Sequence, residues 1–158
     1  MVRFCREHPE DGACKPQLEF ALSNDDAIAT LASSALAQER AKAGDDHSTA
    51  GIKAVFALAP VVQPLTPASL QALRQPVVLM VGGADVTVPA ATHSLVAKSM
   101  IPGSTVTILP SVTHYDFLAT CSAAAVSSLP VCRDAASQKR AHRAAIQAAL
   151  HLFDGALR

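Results

Sequence analysis

Two apolar runs that each break off at a turn constrain this chain more than any other feature. The first, PVVLMVGGADVTVP (76–89), passes from a hydrophobic stretch through two glycines to Asp85. The second, TVTILPSVTHYDFL (105–118), passes from a hydrophobic stretch through a proline turn to His114. Each reads as an apolar strand that gives way to a polar side chain. In such sheets, functional side chains gather just beyond the carboxyl ends of the strands. The spacing therefore sets a carboxylate and an imidazole at the same sheet edge, in neighbouring loops if consecutive strands are adjacent.

The rest of the chain fits the same architecture. IKAVFALAP (52–60) reads as an earlier buried strand, PASLQALR (67–74) as a short helix with Pro67 near its start, and PAATHSLVAKSM (89–100) as a second helix. A last amphipathic helix is predicted over 135–153. Ala141, Ala145, Ala148, Ala149, Leu152 and Phe153 form its inner face, and Lys139, Arg140 and Arg143 stay in water. Before residue 51 the pattern differs. Residues 1–16 read as irregular, and 23–43 as one helix capped by Ser23 or Asn24, with Asp25 and Asp26 at its positive end. A polar loop follows over 44–51. Two regions result: a helical, cap-like segment over 1–50 and an α/β segment over 51–158 with right-handed crossovers.

With 158 residues, half of them hydrophobic, the chain has enough apolar surface for a core. Its formal net charge of zero offers no electrostatic case for nucleic acid or an anionic membrane. No apolar run reaches the roughly 18 residues of a membrane span. The four cysteines form two local pairs, Cys5 with Cys14 and Cys121 with Cys132, neither at C-x-x-C spacing. Two readings compete: short-loop disulfides in a periplasmic or secreted protein, or buried thiols in a cytosolic one. The loop-like, polar and Pro-containing settings favour the bridges. The start, MVRFCREHPED, has no apolar signal core, which a start in mid-domain would also explain, so the compartment stays open.

A histidine works best as a general base when a carboxylate fixes its tautomer and stabilises its protonated form. Asp85 and His114 can meet that need. The order of apolar strand, G-G-A-D, V-x-V-P, helix, P-G-S, apolar strand and T-H-Y-D-F-L resembles the last third of an α/β-hydrolase. More narrowly, it is similar to bacterial dienelactone-hydrolase-like proteins related to platelet-activating-factor acetylhydrolase. The resemblance is clear over 51–118 and looser elsewhere. It implies the C-terminal half of an α/β-hydrolase fold, about three parallel strands with flanking helices, preceded by a helical segment. It also implies Asp85 as triad acid, His114 as base, and a carboxylic ester or lactone as substrate. No metal or organic cofactor is implied, since triad chemistry draws every group from protein.

The resemblance lacks its nucleophile. No G-x-S-x-G occurs anywhere in the chain. The nearest approach, HSTAG around Ser48, has Asp46 and Ala50 in the glycine positions, and it follows a helix and precedes a strand, the reverse of an elbow. The oxyanion donors that accompany the elbow go with it. The expectation is therefore the C-terminal portion of a longer serine hydrolase, inactive alone. Its partner would be an N-terminal half or, through an exposed edge strand at IKAVFALAP, a second copy. The alternative is a non-catalytic remnant or interaction module of the same fold. Other candidates are weaker. VGGAD is not a dinucleotide fingerprint. His8, His47, His93, His142 and His151 have no zinc spacing, and His93 and His142 read as solvated helix residues. Asp116 reads as a loop or capping residue, because in an extended segment its side chain would run parallel to that of His114. Cys121 reads as a bridge partner before a nucleophile.

Overall fold

Every element that carries the site comes from three parallel strands joined by helices. The structure is a computed structural model that describes residues 1–16, 23–46, 48–132 and 135–158. It divides into two units, Met1–Ile52 and Lys53–Arg158, each with its own internal packing.

In the first unit, residues 1–16 are more regular than expected. Helix α1 (Val2–Glu7) runs into a 3-10 turn over Gly12–Cys14, and a Cys5–Cys14 disulfide ties the two together. Asp11 caps that turn by accepting the Ala13 N–H. Closing so short a loop removes about 2–3 kcal/mol of unfolded-state entropy. The single helix expected over 23–43 is interrupted. Helix α2 (Asn24–Ala32) starts at Ser23, whose hydroxyl accepts the Asp26 N–H, and ends at Ser33, which is extended. A 3-10 turn (Ser34–Leu36) and helix α3 (Ala37–Lys42) follow. The Arg40 guanidinium donates to the carbonyls of Leu31 and Ser33, satisfying C-terminal acceptors that an uninterrupted helix would have used internally.

In the second unit, strands β1 (Val55–Leu58), β2 (Val77–Gly82) and β3 (Thr105–Leu109) form one parallel sheet in the order β1-β2-β3. Helix α4 (Pro67–Ala72) connects the first pair and helix α5 (Ser94–Met100) the second. Thr66 caps α4 through the Ser69 N–H, with Pro67 in its first turn. Helix α5 starts five residues later than expected, because residues 90–93 form a turn ahead of it. Val77 and Leu79 pack with Val62, Leu70, Ala97 and Ile101 on one face of the sheet. Alternation turns Val78 and Met80 to the other face, and Met80 is only 1% exposed.

Only β2 is nearly continuously buried. The outer strands are covered less fully than their composition suggested: Val55, Phe56 and Ala57 are half-buried, and Leu58 and Ile108 are exposed. The cause is position, since β1 and β3 are the sheet's edges among the described residues. The ladder alternates, so the N–H and C=O groups of Phe56 and Leu58 face away from β2.

After β3 come a 3-10 turn (His114–Phe117), helix α6 (Ala123–Ser128) and the long helix α7 (Ala135–Ala156). Ala141 and Ala145 are buried, as the pattern predicts, along with Ser137 and Gln138. Phe153 is instead exposed. It continues a stripe of Ile146, Leu150 and Leu157 on a face that the described residues leave open. No described helix is long and apolar enough to cross a membrane.

Gly82 is where the sheet is least tolerant. A Cβ there would lie 2.1 Å from the Val112 carbonyl oxygen, a backbone atom that no rotamer change can move. Gly82→Ala should therefore cost about 3 kcal/mol or more, beyond ordinary overpacking. A urea midpoint equal to that of the parent chain would refute the close approach.

Candidate active site

The ends of β2 and β3 are stitched together by their own backbones. The Gly83 N–H donates to the Leu109 carbonyl at 2.7 Å, and the Ala84 N–H donates to the Val112 carbonyl at 3.0 Å. These bonds draw the loop after each strand against its neighbour. The approach requires that residue 82 carry no side chain. Ser111, at φ 60°, lies in the left-handed region and turns the chain back after β3.

Asp85 follows directly. Its side chain is completely buried, and one carboxylate oxygen, Oδ1, accepts the N–H groups of Thr87 (3.0 Å) and Val88 (2.7 Å). The local V-T-V-P turn thus fixes the acid. The second oxygen, Oδ2, lies 2.9 Å from Nδ1 of His114. With Asp85 as acceptor, Nδ1 carries the proton, and Nε2 keeps the ring's lone pair. The imidazole is about one quarter exposed, and the Tyr115 ring meets it edge-on with centroids 5.4 Å apart. A buried carboxylate thus holds a part-exposed imidazole by one nitrogen, the arrangement of an oriented general base.

The segment holding His114 is not extended. Residues 113–117 form a 3-10 turn closed by a reciprocal cap between Thr113 and Asp116. Asp116 is buried, and its Oδ2 accepts from the Thr113 N–H (2.7 Å), the Thr113 hydroxyl (3.0 Å) and the Ser137 hydroxyl of α7 (2.8 Å). The capping role expected of Asp116 is therefore what it performs, through a turn rather than a strand. Ser137 had no signal in the sequence beyond its place on the inner face of α7. Gln138 donates to the carbonyls of Leu118 and Ala119, and His142 donates from Nε2 to the Leu118 carbonyl at 2.6 Å. Helix α7 thus grips the segment just after His114.

The remaining histidines correct two expectations. His93 is not solvated: it is fully buried, at the start of α5, where the turn over 89–93 folds it inward. His142 is half-buried through its bond to Leu118. His8 lies 3.5 Å from Glu10, His151 is exposed, and His47 lies outside the described residues. Among the described residues, no three His, Cys, Asp or Glu side chains converge as a metal would need. Ser48 belongs to the first unit. Its N–H is taken by Asp46 Oδ1 at 2.8 Å in a polar turn after α3, so it sits in no elbow. The second cysteine pair is also bridged, Cys121 to Cys132, so neither thiol is available as a nucleophile.

His114 opens onto a pocket of about 390 Å3, to which Val86, Ser111, Tyr115, Pro130 and Val131 also contribute. A larger pocket of about 440 Å3 lies in the first unit, lined chiefly by Val2, Ile28 and Leu31. Among the described residues its lining holds Arg6, Asp25 and the amino-terminal residue Met1, and no histidine. The Asp85–His114 pair meets the smaller one.

Asp116→Ala removes the acceptor of three hydrogen bonds and should cost about 3 kcal/mol, against about 1 kcal/mol for Ser137→Ala, as measured by denaturant unfolding. Equal and negligible losses would show that the turn holds its shape without the carboxylate.

No family model and no curated protein matches the chain. Among solved structures it is similar to bromoperoxidase from Bacillus anthracis, at 20% identity over 55% of this chain and 24% of that one, with a TM-score of 0.35. It is also similar to a predicted CIB-like hydrolase from Thermoplasma acidophilum, at 20% identity over 73% of this chain and 50% of that one, with a TM-score of 0.38. The chain spans about a quarter of the first and half of the second.

Proposed function

We propose that this chain supplies the acid and base of a serine hydrolase acting on carboxylic esters or lactones, of the dienelactone-hydrolase-like α/β-hydrolase type. The observation that carries the reading is the 2.9 Å bond between Asp85 and His114, made by side chains that follow adjacent parallel strands. In this role Asp85 orients the ring and balances the charge it acquires. Nε2 of His114 takes the proton of a serine hydroxyl as its oxygen attacks the ester carbonyl, then returns that proton to the departing alkoxide. Water attacks the resulting acyl-enzyme through the same base. The acid is fixed by Thr87 and Val88, and the base by Asp116 and α7, so neither group must reorganise when charge develops.

The serine and the oxyanion donors do not come from these 158 residues, so the reading requires another polypeptide segment. Two surfaces suit one. The backbone edge at Phe56 and Leu58 can accept a further parallel strand. The stripe Ile146, Leu150, Phe153 and Leu157 can accept an apolar helix face. The two disulfides fit an oxidising setting, which favours a periplasmic or secreted location. The absence of an elbow also favours a second reading, a non-catalytic module with this fold.

One assay separates the two. The chain alone should hydrolyse a small activated ester such as p-nitrophenyl acetate at the background rate. Combined with a polypeptide carrying a strand, G-x-S-x-G and a helix, it should turn over. In that assembly Asp85→Asn should lower kcat by about 10⁴, and His114→Ala by at least as much. Turnover by the chain alone that survives His114→Ala would defeat the proposal. An inert assembly would favour the non-catalytic module.

A further inference from the structure

The pocket at His114 has walls of two different origins. Val86 and Tyr115 adjoin the acid and the base and belong to the loops after β2 and β3. Pro130 and Val131 belong to neither loop. They lie in a 3-10 turn (Pro130–Cys132) at the far end of the segment that begins at Cys121. Burial does not explain how they come to be there. Helix α6, the body of that segment, buries no residue, and Val126 and Leu129 are exposed. Two fixed points remain. Gln138 and His142 hold the carbonyls of Leu118 and Ala119 immediately ahead of the segment. The Cys121–Cys132 bridge then holds its ends together, with Cα atoms 5.8 Å apart. Cys132 is buried and Val131 half-buried, so this end of the segment is held inward, with Pro130 exposed at the pocket's rim.

We infer that Pro130 and Val131, held by the Cys121–Cys132 bridge, are the size-selecting wall of the pocket at His114, admitting small apolar acyl groups and rejecting bulky ones. The inference rests on the reading of His114 as the base that faces substrate. Both residues are stiff, since the proline ring fixes its backbone and valine is restricted at χ1. Neither offers a side-chain hydrogen bond, so this side of the pocket discriminates by shape alone. A volume of about 390 Å3 lies near the small end of ligand pockets, which run from roughly 300 to 1,000 Å3.

Imidazole acylation tests the wall without needing a serine. Dialkyl pyrocarbonates of increasing bulk (dimethyl, diethyl, di-tert-butyl) are applied to the intact chain. In each case a ring nitrogen attacks a carbonyl carbon, an N–C bond forms, and the C–O bond to the carbonate leaving group breaks. The ring proton passes to solvent, and the alkyl carbonate decomposes to alcohol and carbon dioxide. Peptide mass spectrometry reads acylation at His114 relative to the exposed His151, which cancels the reagents' intrinsic reactivities.

From the smallest to the bulkiest reagent, the His114/His151 ratio should fall by about tenfold or more. Val131→Ala should remove most of that fall, as should Cys121→Ser with Cys132→Ser. A ratio with the same dependence on bulk in the parent, Val131→Ala and bridge-free chains overturns the inference. If the bridge-free chain is unfolded by circular dichroism, Val131→Ala decides, because it keeps the bridge. Asp85→Asn separates this inference from the hydrolase reading: it should change acylation of His114 by all three reagents alike and leave the dependence on bulk intact. A bulk-dependent wall in a chain that fails the hydrolase assay would leave the wall standing and remove only its catalytic use.

Discussion

The site depends on a backbone contact rather than on a side chain. The end of β2 and the turn after β3 approach until Gly83 and Ala84 donate to Leu109 and Val112. Only a residue without a Cβ can stand at position 82, where the Val112 carbonyl occupies the space a methyl group would need. Backbone hydrogen bonds of this kind are individually modest in net free energy. Their value here is geometric: they set the spacing of two loops whose side chains must then meet within hydrogen-bond distance. Asp85, three residues beyond Gly82, and His114, two residues beyond Val112, are brought together by that spacing.

Two buried carboxylates flank the imidazole and do different work. Asp85 touches the ring and divides its own acceptors, with two backbone N–H groups on one oxygen and Nδ1 on the other. Asp116 shows no bond to the ring. It gathers a backbone N–H and two hydroxyls, one of them from α7, and so keeps the His114 turn closed. A carboxylate buried without partners would be very costly, and each of these is satisfied by groups near it in sequence or on the adjacent helix. The two acids therefore could not exchange roles by a change of rotamer, since each is already committed to a separate donor set.

The parts of this arrangement that repeat with a simple period were legible in the sequence. β2 announced itself by an unbroken apolar run, the α7 core face by Ala141 and Ala145, and the loops that bring Asp85 and His114 together by their places after apolar runs. What could not be read depended on contacts between distant segments. Nothing local marks Ser33 as the end of α2, because the stop is stabilised by Arg40 reaching back to carbonyls. His93 looked like a surface residue of a helix until the turn over 89–93 folded it inward. Phe153 was assigned inward by periodicity, but among the described residues it lies on the exposed side of the last turns, while Leu152 is half-buried. Ser137 is the instructive omission. A serine on an alanine-rich face gives no signal until the carboxylate it serves is known, twenty-one residues earlier.

The Asp85–His114 hydrogen bond is held by groups of its own unit. The Asp85 carboxylate is held by the Thr87 and Val88 N–H groups and by the His114 ring, and the brace behind the His114 turn comes from α7 in the same unit. In a preorganised site the orienting groups are in place before substrate arrives, so charge development requires little rearrangement. The separation also has a consequence for evolution of the fold: substitutions at the β1 edge or on the outer stripe of α7 alter what can be joined to this unit, and leave the carboxylate–imidazole geometry as it is. The residues of the β1 edge and of the α7 stripe are distinct from those that hold Asp85 against His114.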